Sequence, residues 1–175
     1  SGGAALTGNG GDVRIDAASL NLSGGSVIGT VSPVGEAGGD VRIDAGTVTL
    51  EDGNIRTVAA GGAGGEVVIG GGSFHANGGS VQSVSFGSEP AGAVTIAMDD
   101  SITGVMDSFV DTASYGDGGL SPVTLKAASV VLDGPDFDRA SGVQMIAYQG
   151  ATSTISIEGN EVAAPMGRLI NEARD

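Results

Sequence analysis

The chain contains no cysteine, which removes disulfides and thiolate metal sites and leaves the redox compartment unmarked. Cations are scarce: 7 Lys and Arg stand against 21 Asp and Glu, for a formal net charge of −14. Such a balance repels phosphate backbones and anionic lipid surfaces, so nucleic acid is not expected as a partner. No uninterrupted apolar run approaches the roughly 20 residues of a membrane-spanning helix, so no membrane insertion is expected. The opening Ser1-Gly2-Gly3-Ala4-Ala5 lacks the basic-then-apolar order of a targeting segment. Histidine occurs once, as His75 beside Phe74. Without a second imidazole or thiolate it builds no metal site and reads as an outward surface residue. Proline is limited to 5 residues, and with 40% hydrophobic content the chain is not a disordered Gly/Pro-rich segment.

Glycine, in contrast, is abundant at 33 residues, and it accompanies a phrase that returns down the chain. Gly11-Asp12-Val13-Arg14-Ile15-Asp16-Ala17 reappears as Gly39-Asp40-Val41-Arg42-Ile43-Asp44-Ala45. It then continues in weaker form at Glu66-Val67-Val68-Ile69, Ala93-Val94-Thr95-Ile96, Pro122-Val123-Thr124-Leu125 and Thr154-Ile155-Ser156-Ile157. Counted from Asp12, the spacings are about 28, 26, 27, 29 and 32 residues, a period that marks a repeat architecture of six copies.

Within Asp12-Val13-Arg14-Ile15-Asp16 apolar and charged residues alternate, the period of a strand with one buried face. A second strand follows at Leu20 and Leu22, matched by Val48 and Leu50, Phe74 and Ala76, Val130 and Leu132, and Val162 and Ala164. A third opens two residues after Gly25, Gly53 and Gly79, with Val27, Ile55 and Val81 as equivalents. Three short strands per repeat, separated by glycine corners and showing no helical periodicity, can pair only with the same strands one repeat above and below. The fold class expected is all-β, a parallel β-helix of about six coils in one domain, residues 1–175, with the regular coils over 9–97 and irregular ones over 98–175. Val13, Val41, Val67, Val94, Val123 and Ile155 should stack inside, beside Ile15, Ile43, Ile69, Ile96, Leu125 and Ile157. Arg14 and Arg42 should stack outside, neutralised diagonally by Asp12, Asp16, Asp40 and Asp44.

Regularity weakens in the second half. The fourth coil carries one extra residue before Ile102, and Met106-Asp107-Ser108-Phe109-Val110 fits the template poorly. The fifth inserts residues around Pro135-Asp136-Phe137-Asp138-Arg139 before resuming at Val143 and Met145. Gly167 and Leu169 fall where a sixth coil continues. Insertions leave a solenoid as loops, where binding features often lie. Phe109, Tyr115, Asp136, Phe137 and Arg139 are therefore the candidate ligand-contact residues. Exposed, these aromatics would suit glycan stacking; buried, they would plug a widened coil interior, which is the reading favoured here.

The Gly-Gly-Asp-Val-Arg-Ile-Asp-Ala phrase is followed by Ser19-Leu20-Asn21-Leu22-Ser23-Gly24-Gly25-Ser26-Val27. It returns before Thr47-Val48-Thr49-Leu50-Glu51-Asp52-Gly53-Asn54-Ile55-Arg56-Thr57, and together they resemble the repeat tracts of filamentous haemagglutinin-like exoproteins. The resemblance covers about residues 9–97 well and 120–170 loosely. It implies a right-handed parallel β-helix, secreted or held at the bacterial cell surface by two-partner secretion through a dedicated outer-membrane transporter. It also implies a structural stalk in a large adhesin-like exoprotein, with no catalytic residues in such tracts. The family's amino-terminal secretion domain is absent from this sequence, and a stretch of a longer chain is expected. The alternative to a stalk is a glycan- or matrix-binding module using the fourth- and fifth-coil loops, and the partners expected are a glycan or a host or neighbour-cell surface protein. Open strand edges at Val13 and near Ile157 would favour end-to-end self-association.

Other chemistries fit less well. A β-helix polysaccharide hydrolase or lyase needs converging carboxylates roughly 5–10 Å apart, or acidic calcium ligands with a base. Asp99, Asp100 and Asp107, with Asp136, Asp138 and Arg139, are the candidates, but aspartates before turns ordinarily cap backbone groups. No enzyme activity and no cofactor are expected. Gly8-Asn9-Gly10-Gly11-Asp12 has the look of a calcium-binding nonapeptide, yet the recurrence here is not nine residues, so no metal site is expected. Thr30, Thr49, Thr57 and Thr95 read as non-equivalent and form no surface ladder.

Overall fold

The computed structural model describes residues 10–33, 35–134 and 141–174. The strand signals read from the sequence become a parallel β-solenoid of about six turns, with no helix among the described residues. Each coil has three strand segments. In the first four coils the first two run on as one bent strand: β1 (Val13–Ser23), β3 (Val41–Glu51), β5 (Val67–Asn77) and β7 (Val94–Val105). In the last two coils they separate into β9 (Val123–Lys126) and β10 (Ser129–Leu132), then β12 (Ile155–Glu158) and β13 (Glu161–Ala163). These strands make one sheet. The third segments make the second: β2 (Val27–Ser32), β4 (Asn54–Ala59), β6 (Ser80–Ser85), β8 (Phe109–Ser114), β11 (Gly142–Ala147) and β14 (Arg168–Ala173).

Register follows the repeat. Val13, Val41, Val67, Val94, Val123 and Ile155 stack in one column, and Ile15, Ile43, Ile69, Ile96, Leu125 and Ile157 in the next. From the second coil to the fifth these side chains are fully or almost fully buried. The extra residue before Ile102 is a bulge: Gly71 pairs with Met98 and Ser73 with Ser101, so Asp99 and Asp100 share the place of Gly72. At this corner Gly71 has φ +133°, and a Cβ there would overlap the Ala45 carbonyl oxygen. The outward Arg14 and Arg42 stack as expected. Arg42 is held between Asp40 and Glu66 at 3.0 Å each, and the Asp40 hydrogen bond above all raises its pKa. The carboxylates also tie coils together, since Asp12 accepts the Asp40 N–H and Asp40 accepts the Glu66 N–H, both at 2.9 Å.

Two expectations need correction. Val27 is not the equivalent of Ile55; it pairs with Asn54, and Ile28 takes the inward place beside Ile55 and Val81. The cause is a turn of one more residue, Gly24-Gly25-Ser26 against Asp52-Gly53 and Gly78-Gly79. That slip moves Val27 to the outer face, where it is half exposed. Thr30 and Thr57 are not scattered either. They occupy the same column, followed by Ser83 and Thr112, and they point inward and are buried.

That polar column has a physical purpose. Between the end of each second-sheet strand and the next coil the chain turns without a sheet partner for every carbonyl, and buried carbonyls must be satisfied. Thr30 donates to the Gly39 carbonyl at 2.7 Å and Thr57 to the Gly65 carbonyl at 2.8 Å. Ser83 donates to that same Gly65 carbonyl and accepts the Gly92 N–H, both at 2.9 Å. One column further, Ser32, Ser85 and Ser114 each donate to a carbonyl four residues on, at Glu36, Glu89 and Gly118. The interior is therefore apolar on the first sheet and hydroxyl-lined where the third corner closes.

Candidate functional site: the outer face of the second sheet

The outer faces of the two sheets differ sharply. On the first, the outward columns hold Arg14, Arg42, Asp16, Asp44, Ser19, Thr47, Thr49 and His75, an ordinary solvated surface. His75 lies there between Thr49 and Thr103, partly buried. On the second, a polar column Arg56, Gln82, Asp111 and Gln144 runs along the rod. Beside it lies an aliphatic column of Val31, Val58, Val84, Ala113 and Ile146. At the edge, immediately after β6, β8 and β11, come Phe86, Tyr115 and Tyr148. Val31 at 68%, Phe86 at 53% and Tyr115 at 47% are among the most exposed large hydrophobic residues of the chain. Together with Arg56, Gln82 and Asp111 they line an open groove.

The three aromatics form an external ladder. Phe86 and Tyr115 stack with centroids 4.9 Å apart and planes 11° off parallel; Tyr115 and Tyr148 stack at 4.8 Å and 17°. Arg174 closes the far end with its guanidinium 5.4 Å from the Tyr148 ring centre. The spacing is that of neighbouring strands, because equal positions on successive coils must repeat at the strand separation. Both faces of the Tyr115 ring are thus covered by other rings.

Asp111 sits at the floor of the groove and is 7% exposed. Its Oδ2 accepts from the Gln82 and Gln144 amides one coil above and one below, each at 3.3 Å, while Oδ1 is buried without a partner. Burial pushes the carboxyl pKa up to about 6, against the lowering effect of the Gln144 and Gln82 hydrogen bonds. A carboxyl so placed holds its proton further toward neutrality than a surface aspartate does.

The residues singled out from the sequence are divided by the fold. Tyr115 belongs to this ladder. Phe109, at the start of β8, lines a small apolar cavity inside the fourth coil with Phe74, Ile102 and Leu132, a space for about one water molecule. Phe109 is in register with Ser80, Asn54 and Val27, so it stands at an outward position of β8, partly buried, and only borders that cavity. Asp136, Phe137, Asp138 and Arg139 lie outside the described residues, as do Gly8 and Asn9. Asp99 borders a depression with Lys126, Glu158 and Asn160, whereas Asp107 is in the turn before β8. The extended stretch Ser101–Val105 between them spans roughly 16 Å, more than a carboxylate pair for sugar hydrolysis allows. No group of three or more His, Cys, Asp or Glu among the described residues is placed to hold a metal ion. No helix among them is long and apolar enough to cross a membrane.

Sequence reasoning missed Asp111, the inward hydroxyls and the ladder. The ladder had a signal, since Phe86, Tyr115 and Tyr148 recur at the coil period. The chain as described is a parallel β-solenoid, the class to which fold and repeat together assign it. No protein-family model matches it, and neither the curated proteins nor the solved structures contain a match.

Proposed function

We propose that this chain is a structural stalk segment of a large secreted or surface-anchored adhesin-like bacterial exoprotein. The observation that supports the reading most is continuity: inner columns pass from coil to coil without a break in register from Val13 to Ile155. Each coil adds hydrogen bonds along the axis and a layer of buried Val and Ile, which is how a solenoid resists bending and shear. The aromatic ladder supports the same reading. A sugar ring stacks on an exposed aromatic face, and both faces of Tyr115 are taken by Phe86 and Tyr148, so the ladder clamps successive coils.

Export through an outer-membrane transporter, and a display role away from the cell, are part of this proposal and rest on the repeat resemblance. The test is an antibody raised against the segment and applied to fractionated source cells. The stalk reading expects a polypeptide much larger than 175 residues at the cell surface or in the medium. A native chain of this size, or one confined to the cell interior, would overturn it.

A further inference from the structure

We infer that the outer face of the second sheet is a self-complementary surface that takes a second copy of this chain, packed side by side and antiparallel. The inference starts from charge. The chain carries net −14, yet Asp111 and Glu172 are the acidic residues in the described outward columns of this sheet. Here two copies can approach with least repulsion, and here the apolar residues are exposed.

Order along the column then selects the arrangement. Face-to-face packing of identical surfaces uses a two-fold axis in the contact plane. An axis parallel to the rod would set Arg56 on Arg56 and Asp111 on Asp111. An axis along β6 at Gln82 instead sets the second coil against the fourth. Arg56 of each copy then meets Asp111 of the other, because Gln82 stands one coil from each. Arg56 has no hydrogen-bond or ion-pair partner among the described residues, and Asp111, 7% exposed at the floor of the groove, supplies the opposite charge there. Size matches as well as charge: Ala60 comes opposite Tyr115, and Gly29 opposite Gln144. Five overlapping strands about 4.8 Å apart and about 20 Å long give roughly 480 Å² per copy. The total, about 1,000 Å², is at the lower limit for a specific interface, so the dimer is weak and concentration-dependent.

Sedimentation over a hundredfold or so range of concentration tests this. The wild type should pass from monomer to dimer and stop there. Arg56→Glu and Val84→Lys, both on the surface, should each raise the dissociation constant about tenfold or more. Because the chain lacks cysteine, Val84→Cys gives a direct position test: it lies on the axis and should yield a covalent dimer with a short bifunctional thiol reagent, sheets packing about 10 Å apart. Thr95→Cys, on the first sheet, should not. A monomer throughout the range, an open-ended series of oligomers as end-to-end contact would give, a dimer indifferent to Arg56→Glu, or equal cross-linking from both cysteines would each overturn the inference.

Discussion

Replacing Asp111 by Asn should stabilise the fold at neutral pH, an unusual outcome for loss of a buried hydrogen-bonded group. The carboxyl has an ordinary value of 3.8 and titrates at about 6 in the fold, burial being the main cause. Well below pH 3.8 the carboxyl is protonated in both states and imposes no penalty. As pH rises from about 4 to 6 the unfolded chain releases the proton first, so the folded state loses stability relative to it. At about 1.4 kcal/mol per tenfold change in proton affinity, the loss is complete just above pH 6 and amounts to about 3 kcal/mol. Asn keeps an oxygen to accept from Gln82 and Gln144 and has no charge to desolvate; its NH2 takes the unpartnered Oδ1 place, at a cost of about 1–2 kcal/mol that does not vary with pH. Urea unfolding at pH 4, 5, 6 and 7, at protein concentrations that keep the chain monomeric, should show the variant gaining on the wild type across that interval. The difference between the two proteins isolates Asp111 from the other carboxylates. A flat difference, or an Asn variant less stable at pH 7 than at pH 4 relative to wild type, would refute the assignment of a buried, poorly solvated carboxylate.

Three further expectations follow from the packing. Gly71→Ala forces a Cβ onto the Ala45 carbonyl at φ +133° and should cost more than about 3 kcal/mol, seen as a large drop in Tm or failure to fold. Thr57→Val keeps the shape but removes the hydroxyl that serves Gly65; a loss of about 1–2 kcal/mol in denaturant titration is expected, and a neutral result would mean that Ser83 alone suffices. Tyr115→Leu breaks two ring stacks at once and should cost about 1–2 kcal/mol by thermal unfolding; a change of less than a few tenths would show that the ladder does not clamp the coils.

The apolar columns were legible because alternation of Val and Ile with Asp and Arg has only one strand reading. The bulge before Ile102 was legible because one residue too many broke an otherwise fixed count. The inward column Thr30, Thr57, Ser83 and Thr112 was not, since period-two reasoning assigns polar residues to water. Thr30, Thr57 and Ser83 are buried where carbonyls of the neighbouring turn take their hydroxyls, which no local pattern reveals, whereas the Thr112 hydroxyl is buried without a partner. Val27 was misplaced for a related reason: glycine marked the corner but not how many residues it took. Asp111 could not be singled out, as its environment is made by Gln82 and Gln144 from coils on either side.

The carboxylates of Asp12 and Asp40, each accepting the amide of the coil that follows, give the rod a direction. The first two coils thus each present a carboxylate acceptor to the coil that follows. A chain emerging amino end first therefore meets a prepared acceptor at these first two steps, and order can be added there one layer at a time without waiting for the far end. The same bonds that brace the completed structure supply a template for its growth.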